Sequence, residues 1–269
     1  LAAATRGGYV AVLEPTDRAD PLRATIDTRS LNRGERLRGA VAAETKSESW
    51  LLVPTIPAAK DGSNLAVFHI RDGAIEGEGP VQLLRAGAGI VHRLHARREH
   101  ALVATLGCSL RADPDEAGLY ECDAAQPHDI AVWKFTPGQP SRLDLVREIG
   151  LDRIPGLVPS RIALSPDGRR LVVSFEYPAH PKDGARPEEL RLWTTASEKA
   201  GELLLVDLQG NADARWIPSG MPRVREIAFS PEGSMFGAGG PAAQASDDDT
   251  GTDEVRLWDV AESGLRLRE

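Results

Sequence analysis

The chain contains 269 residues, of which 41% are hydrophobic and 27% are charged, proportions typical of a globular protein rather than of a disordered chain. Its formal net charge of −8 excludes the overall positive charge of a nucleic-acid-binding protein. The sequence holds no apolar run of about 18 residues, which excludes a transmembrane helix, so we predict neither nucleic-acid binding nor membrane insertion.

Short apolar segments rich in β-branched residues recur along the whole chain, and they predict β-strands. They are Tyr9–Leu13, Trp50–Val53, Leu65–Phe68, Ala101–Ala104, Ile130–Trp133, Leu171–Ser174, Leu203–Val206 and Val255–Trp258. Turn pairs such as Asp61-Gly62, Asp72-Gly73 and Pro137-Gly138 lie between them. Long amphipathic helices are missing, so the pattern predicts an all-β protein of antiparallel strands joined by tight turns.

Two segments repeat the same strand and turn. Residues 160–168 read SRIALSPDG and residues 225–233 read REIAFSPEG, so each apolar strand runs into a Ser-Pro-acidic-Gly turn. Each unit continues with a third strand. In the second unit this strand is Val255–Val260, which contains Trp258. In the first unit it is either Leu190–Trp193, which contains Trp193, or Leu203–Val206. Two further four-strand units fit residues 38–84 and 90–146, and residues 1–27 fit a unit that lacks its first strand.

At these turns and at Val255–Val260 the chain resembles the WD-repeat and related Ser-Pro-Asp-Gly β-propellers. The resemblance implies four-stranded antiparallel blades around a channel, and the units above correspond to about five blades. Either these five blades close imperfectly, or they are part of a larger ring of seven blades, which is the interpretation that we favour. Residues 1–269 would then be a single propeller domain, incomplete on its N-terminal side. The hydrogen-bond tetrad of the WD family is incomplete here, because no Gly-His pair precedes any blade. Its remaining positions would be Trp133, Trp193, Trp258, Thr105 and Ser174.

Cys108 and Cys122 are the only cysteines. They lack the four closely spaced ligands of a structural zinc site, so we predict no metal there. Two interpretations stay open: a disulfide that closes a loop in an oxidising compartment, or two reduced thiols in the cytoplasm.

Three successive units have a long connection between their second and third strands. These connections cover residues 108–129, 176–188 and 239–253, and long insertions on a rigid scaffold are typical of binding surfaces. Solvated loops without a partner are the alternative, as is a plain acidic loop for Asp247–Asp249. The candidate partner-binding residues are Asp113, Asp115, Glu121, His128, Tyr177, His180, Lys182 and Arg186.

The innermost strands suggest a second candidate site, a small polar pocket at the mouth of the channel for an anionic ligand. Its residues would be His92, Arg93, Arg161, Arg225 and Glu226, which could instead satisfy backbone groups between blades.

The sequence contains no Gly-x-Ser-x-Gly, phosphate-loop or His-Glu-x-x-His motif, so we predict no catalytic residues and no cofactor. We therefore expect a non-enzymatic scaffold or sensor module whose partner is a protein or the remainder of the same propeller. A lactonase-like or other hydrolytic propeller with its site at the channel mouth is the alternative.

Overall fold

The computed structural model describes residues 2–4, 9–13, 22–27, 41–44, 49–55, 63–71, 74–77, 80–87, 90–97, 101–108, 110–112, 120–122, 129–138, 140–149, 158–176, 201–210, 214–242, 253–262 and 264–268. All secondary-structure elements within these described residues are β-strands, and all strand pairs are antiparallel. The chain divides into two compact units, Leu1–Asp123 with Asp129–Gly150, and Ala124–His128 with Leu151–Glu269.

The first unit contains three sheets, which we call blades one to three, and a separate hairpin. Blade one consists of β1 (Ala2–Ala4), β2 (Tyr9–Leu13) and β3 (Leu22–Asp27). Blade two consists of β4 (Val41–Glu44), β5 (Ser49–Pro54), β6 (Leu65–Arg71), β7 (Ala74–Ile75) and β8 (Gln82–Leu84), with β7 and β8 both paired to β6. Blade three consists of β9 (Ile90–Arg97), β10 (Leu102–Cys108), β13 (Asp129–Thr136) and β14 (Arg142–Ile149). The hairpin consists of β11 (Leu110–Ala112) and β12 (Tyr120–Cys122).

The second unit contains two four-stranded sheets, blades four and five. Blade four consists of β15 (Val158–Leu164), β16 (Arg170–Glu176), β17 (Glu202–Asp207) and β18 (Arg215–Pro218). Blade five consists of β19 (Glu226–Phe229), β20 (Met235–Pro241), β21 (Asp253–Ala261) and β22 (Gly264–Leu267). Leu203–Val206 is therefore part of the third strand of blade four, whereas Leu190–Trp193 lies outside the described residues.

The Ser-Pro-acidic-Gly turns form because serine bonds to the residue five positions later. In blade four the amide of Ser165 donates to the carbonyl of Arg170 (2.9 Å), and the amide of Arg170 donates to Ser165 Oγ (2.9 Å). Ser230 and Met235 repeat both bonds in blade five. The glycine of the blade-four turn, Gly168, has a φ of 67°, which glycine adopts without strain. The repeated sequence thus fixes the same hairpin twice.

Asp167 adds a charged acceptor to the blade-four turn. Its Oδ1 accepts hydrogen bonds from the hydroxyl of Ser165 (2.5 Å) and the amide of Arg169 (3.0 Å). Burial acts to raise the pKa of Asp167, but these hydrogen bonds and the charges of Arg170 and Arg169 outweigh it and hold the pKa below its ordinary value. The ionised carboxylate therefore stabilises this turn.

Apolar side chains form a layer between neighbouring blades within each unit. The layer of blades two and three contains Trp50, Leu52, Leu65, Val67, Val103 and Phe135. The layer of blades four and five contains Ala163, Val172, Leu203, Leu205, Met221, Val224, Phe229, Phe236, Ala238 and Trp258. Each sheet is too small to bury its own apolar face, so packing against the next sheet supplies the core.

Candidate functional site

The arginines predicted for the channel mouth make ion pairs where their side chains are described. Arg161 Nε donates to Glu226 Oε1 at 3.2 Å, and its NH1 donates to the carbonyl and hydroxyl of the buried Ser160. Arg225 NH1 donates to Asp253 Oδ1 at 3.3 Å. An anionic ligand would therefore compete with protein carboxylates for both guanidinium groups, which weakens the case for an anion pocket.

The other two residues of that predicted pocket, His92 and Arg93, lie on β9 in the first unit. Their side chains lie outside the described residues. The structure thus brings Arg161 together with Glu226, and the five-residue pocket stays a prediction.

Of the predicted partner-binding residues, Glu121 is the one on a described strand. It lies on β12 directly opposite Arg111 of β11, so the insertion of blade three contains a two-stranded hairpin. The other seven lie outside the described residues: Asp113, Asp115, His128, Tyr177, His180, Lys182 and Arg186.

The hairpin lies next to a cysteine of the blade. Cys108 ends β10, is 1% exposed and is disulfide-bonded. The one other cysteine of the sequence, Cys122, ends β12. We propose that these two residues form the bridge, which would fasten the hairpin to blade three.

Blade two holds a polar cluster that the sequence reading missed. His69 on β6 contacts Glu76 through Nδ1 and Oε2 at 2.6 Å, and Arg71 NH1 lies 3.1 Å from Glu76 Oε1. Because an ionised carboxylate only accepts hydrogen bonds, Nδ1 of His69 is the donor. The Asp72-Gly73 pair in the sequence was the available signal, and β7 pairs antiparallel with β6 so that residue 76 lies beside residue 69.

The His69 ring also stacks on Trp50, with centroids 4.4 Å apart and an interplanar angle of 25°. His69 Nε2 and Trp50 Nε1 are both buried and make no hydrogen bond to the described part of the chain. The hydrogen bond from His69 lowers the pKa of Glu76 and, with the charges of Arg71 and His69, outweighs the opposing effect of burial. The arrangement fixes the imidazole against the indole and keeps Glu76 ionised.

Blade three joins two of the residues that were predicted for a hydrogen-bond tetrad. Trp133 Nε1 donates to Thr105 Oγ1 at 2.9 Å, which ties the third strand to the second. Trp133 lies opposite Val103, two residues before Thr105. This contact agrees with the positions predicted for the two residues.

The corresponding positions of blade four contain neither a tryptophan nor a hydroxyl. Its third strand has Val206 opposite Leu171, so the position two residues after Leu171 is Val173. The placement of Ser174 in the tetrad is therefore wrong by one residue, and the side chain of Ser174 lies on the opposite face of the sheet. Blade five has Trp258 opposite Phe236, but Ala238 occupies the hydroxyl position.

The described residues contain no group of three or more His, Cys, Asp or Glu side chains placed to hold a metal ion. They also contain no helix long and apolar enough to cross a membrane.

Solved structures similar to this chain include β-propellers. The Dos1 propeller aligns over 100% of this chain and 56% of that chain, with a TM-score of 0.56 and 11% identity. The Cps50 (Swd1) β-propeller domain of Myceliophteria thermophila aligns over 88% and 61%, with a TM-score of 0.53 and 13% identity. Hydrazine synthase of Kuenenia stuttgartiensis aligns over 97% and 60%, with a TM-score of 0.53 and 12% identity. The chain thus spans about three fifths of the chains that it matches.

At such identities the likeness shows the fold alone, and it confirms the prediction of an all-β propeller with four-stranded antiparallel blades. No protein-family model matches the chain, and no curated protein matches its sequence. The WD-repeat subtype therefore stays a prediction.

Proposed function

We propose that the chain is a non-enzymatic propeller module that presents a loop-rich face to a protein partner. The observation that carries this proposal is the hairpin of β11 and β12, two paired strands within the insertion that follows the disulfide-bonded Cys108. A hairpin held close to a rigid blade loses less conformational entropy on binding than a free loop does. Such a hairpin is suited to recognise another macromolecule.

The position of the insertions supports the same function. Blades three, four and five have their longest connections between the second and third strands, at residues 109–128, 177–201 and 242–252. In a propeller, equivalent connections of successive blades project on the same side, and function concentrates on loops that a rigid scaffold carries. Blades four and five belong to one compact unit, and we expect their two insertions to act as one binding face.

The charged side chains of blades four and five support a scaffold rather than a reactive centre. Arg161 pairs with Glu226 and so joins blades four and five. Arg225 pairs with Asp253 within blade five, and Arg256 pairs with Glu254 on the same strand, β21. Arg256 NH1 also donates to the carbonyl of Ser219 at 3.1 Å. These ion pairs and hydrogen bonds hold the backbone and neighbouring strands in place, so the charged side chains have a structural role.

Amine-reactive crosslinking followed by mass spectrometry tests the proposed face. Lys182 lies in the insertion of blade four, whereas Lys134 is exposed on β13 of blade three and serves as the internal control. We expect a partner to crosslink at Lys182 and not at Lys134. Replacing residues 110–121 by a short Gly-Ser turn, which keeps both cysteines, should weaken binding of the partner. Equal crosslinking at both lysines, or no effect of the replacement, would contradict the proposal.

The rival function is hydrolysis at the channel mouth, and a screen of esterase and lactonase substrates separates the two. The proposal predicts no turnover above the uncatalysed rate. Robust turnover that disappears in Arg161→Ala and His92→Ala would establish the enzyme instead.

A further inference from the structure

Two buried polar atoms without a hydrogen-bond partner lie at one place in blade two. Within the described residues, three buried side-chain atoms make no hydrogen bond, namely Trp50 Nε1, His69 Nε2 and Ser174 Oγ. Trp50 of β5 and His69 of β6 are directly opposite each other in the sheet. An unsatisfied buried polar group is costly, so two of them on one cross-strand pair indicate a shared partner.

Bulk solvent does not reach this pair. Trp50 is 3% exposed and His69 is 6% exposed. The two rings are stacked with their centroids 4.4 Å apart, so both nitrogens belong to one small region of the blade. Trp50 also packs in the apolar layer of blades two and three, where Phe135 meets the indole edge-on at 6.2 Å between centroids. Hydrocarbon side chains such as Phe135 offer the two nitrogens no hydrogen bond.

Glu76 determines which kind of partner the two nitrogens need. Its Oε2 lies 2.6 Å from His69 Nδ1, and the ionised carboxylate can only accept, so the proton of the imidazole is on Nδ1. In the neutral imidazole, Nε2 is then an acceptor, whereas the indole Nε1–H of Trp50 is a donor. A shared partner must therefore donate one hydrogen bond and accept another. A hydroxyl group does both, whereas a carbonyl cannot donate and an ammonium group or metal ion cannot accept.

We propose that a single buried water molecule binds between these residues, donating to His69 Nε2 and accepting from Trp50 Nε1. Water is the smallest molecule with this chemistry, and buried waters are typically held by two to four otherwise unsatisfied polar groups. The water completes a hydrogen-bonded chain from the carboxylate of Glu76 through His69 to Trp50. This site is independent of the proposed binding function, which uses insertions of other blades.

Nuclear magnetic resonance of the full ¹⁵N-labelled chain tests the site without any substitution. In a mildly basic buffer, which favours the neutral imidazole, we expect a water-selective Overhauser experiment to show a cross-peak between water and the indole N–H of Trp50. Trp50→Phe identifies that signal among the five tryptophans. The ¹⁵N shifts of His69 should report a protonated Nδ1 and an unprotonated Nε2.

Two variants test whether His69 holds the water. His69→Phe keeps an aromatic ring beside the indole but removes the acceptor, so the cross-peak should weaken by about fivefold or more, because the water loses one of its two partners. Ser174→Ala is the matched control, because it removes the third unpartnered buried atom and lies in the other unit, and it should leave the cross-peak unchanged.

A crystal structure of the unmodified chain separates water from a hydroxyl group of the protein. The proposal expects an ordered water within about 3.2 Å of both nitrogens. It is overturned if neither a cross-peak nor such a water is found, or if a side chain or backbone group of the protein occupies the position. A cross-peak that keeps its intensity in folded His69→Phe would also overturn it. If His69→Phe does not fold, the crystal structure and the cross-peak of the unmodified chain decide.

Discussion

The hydrogen bond between Trp133 and Thr105 should contribute measurably to the free energy of unfolding, because it ties two strands of blade three together. Thr105→Val removes the hydroxyl that accepts the indole N–H at 2.9 Å and keeps the shape of the side chain. Thr105 itself is 2% exposed, so water reaches its hydroxyl position poorly. The variant therefore leaves the indole N–H without its protein acceptor.

The expected magnitude follows from the burial of the two partners. A typical intramolecular hydrogen bond contributes about 0.5–1.5 kcal/mol, and an unsatisfied buried donor costs about 1–3 kcal/mol. Trp133 is only partly buried, so its N–H regains some hydration when the hydroxyl is removed. We therefore expect Thr105→Val to lower the free energy of unfolding by about 1 kcal/mol.

A double-mutant cycle isolates this bond from the loss of packing. Thr105→Val, Trp133→Phe and the double variant are unfolded in urea and followed by circular dichroism, which does not depend on the indole being present. The coupling energy should be about 1 kcal/mol, since either single change already breaks the bond. Thr105→Ser keeps the hydroxyl and should lose much less. A coupling energy below about 0.3 kcal/mol, the usual scatter of additive pairs, would refute the reasoning.

Three further changes test other parts of the structure. Gly240→Ala places a Cβ atom onto the carbonyl oxygen of Arg223 and should cost about 1–3 kcal/mol in urea unfolding, whereas Gly239→Ala, with 3.8 Å of room, should be nearly neutral; equal losses would contradict the clash. Reducing the disulfide of Cys108 should destabilise the protein by about 3 kcal/mol for a loop of about 15 residues, and a thiol titration of the unfolded, unreduced protein that finds free thiols would contradict the bridge. Asp167 has a lowered folded pKa, so its contribution is present above the unfolded pKa of about 3.9 and is lost as the pH falls through the folded value. Asp167→Asn should therefore make unfolding stability less dependent on pH below about 4, and an unchanged pH profile would refute this assignment.

The repeated turns could be read from the sequence because their chemistry is local. Ser165 and Gly168 lie three residues apart, and the bonds that they make stay within the turn. The third strand of blade four was ambiguous because Leu190–Trp193 and Leu203–Val206 are both short apolar segments. A turn follows Asp207, whose carboxylate accepts hydrogen bonds from the amides of Gln209 and Gly210.

The candidate site was less predictable because its contacts join distant residues. Arg161 and Glu226 occupy equivalent positions of two repeats, so their ion pair can be inferred only once blades four and five are known to be neighbours. The position of Ser174 was misjudged because a strand alternates faces, and a shift of one residue changes the face completely. His69 was missed because one histidine in an apolar strand gives no signal until the register of β6 and β7 is known.

In blades three, four and five, each strand pairs with the strand that precedes it among the strands of that blade, although the connections differ greatly in length. The link from β16 to β17 spans residues 177–201, and the link from β20 to β21 spans residues 242–252. The entropy of closing a flexible loop grows only with the logarithm of its length, so this difference amounts to about 0.7 kcal/mol. The scaffold can therefore exchange or lengthen these segments at almost constant stability. The second-to-third strand connections are thus the natural place for related chains to diverge and for an engineered chain to accept a grafted peptide.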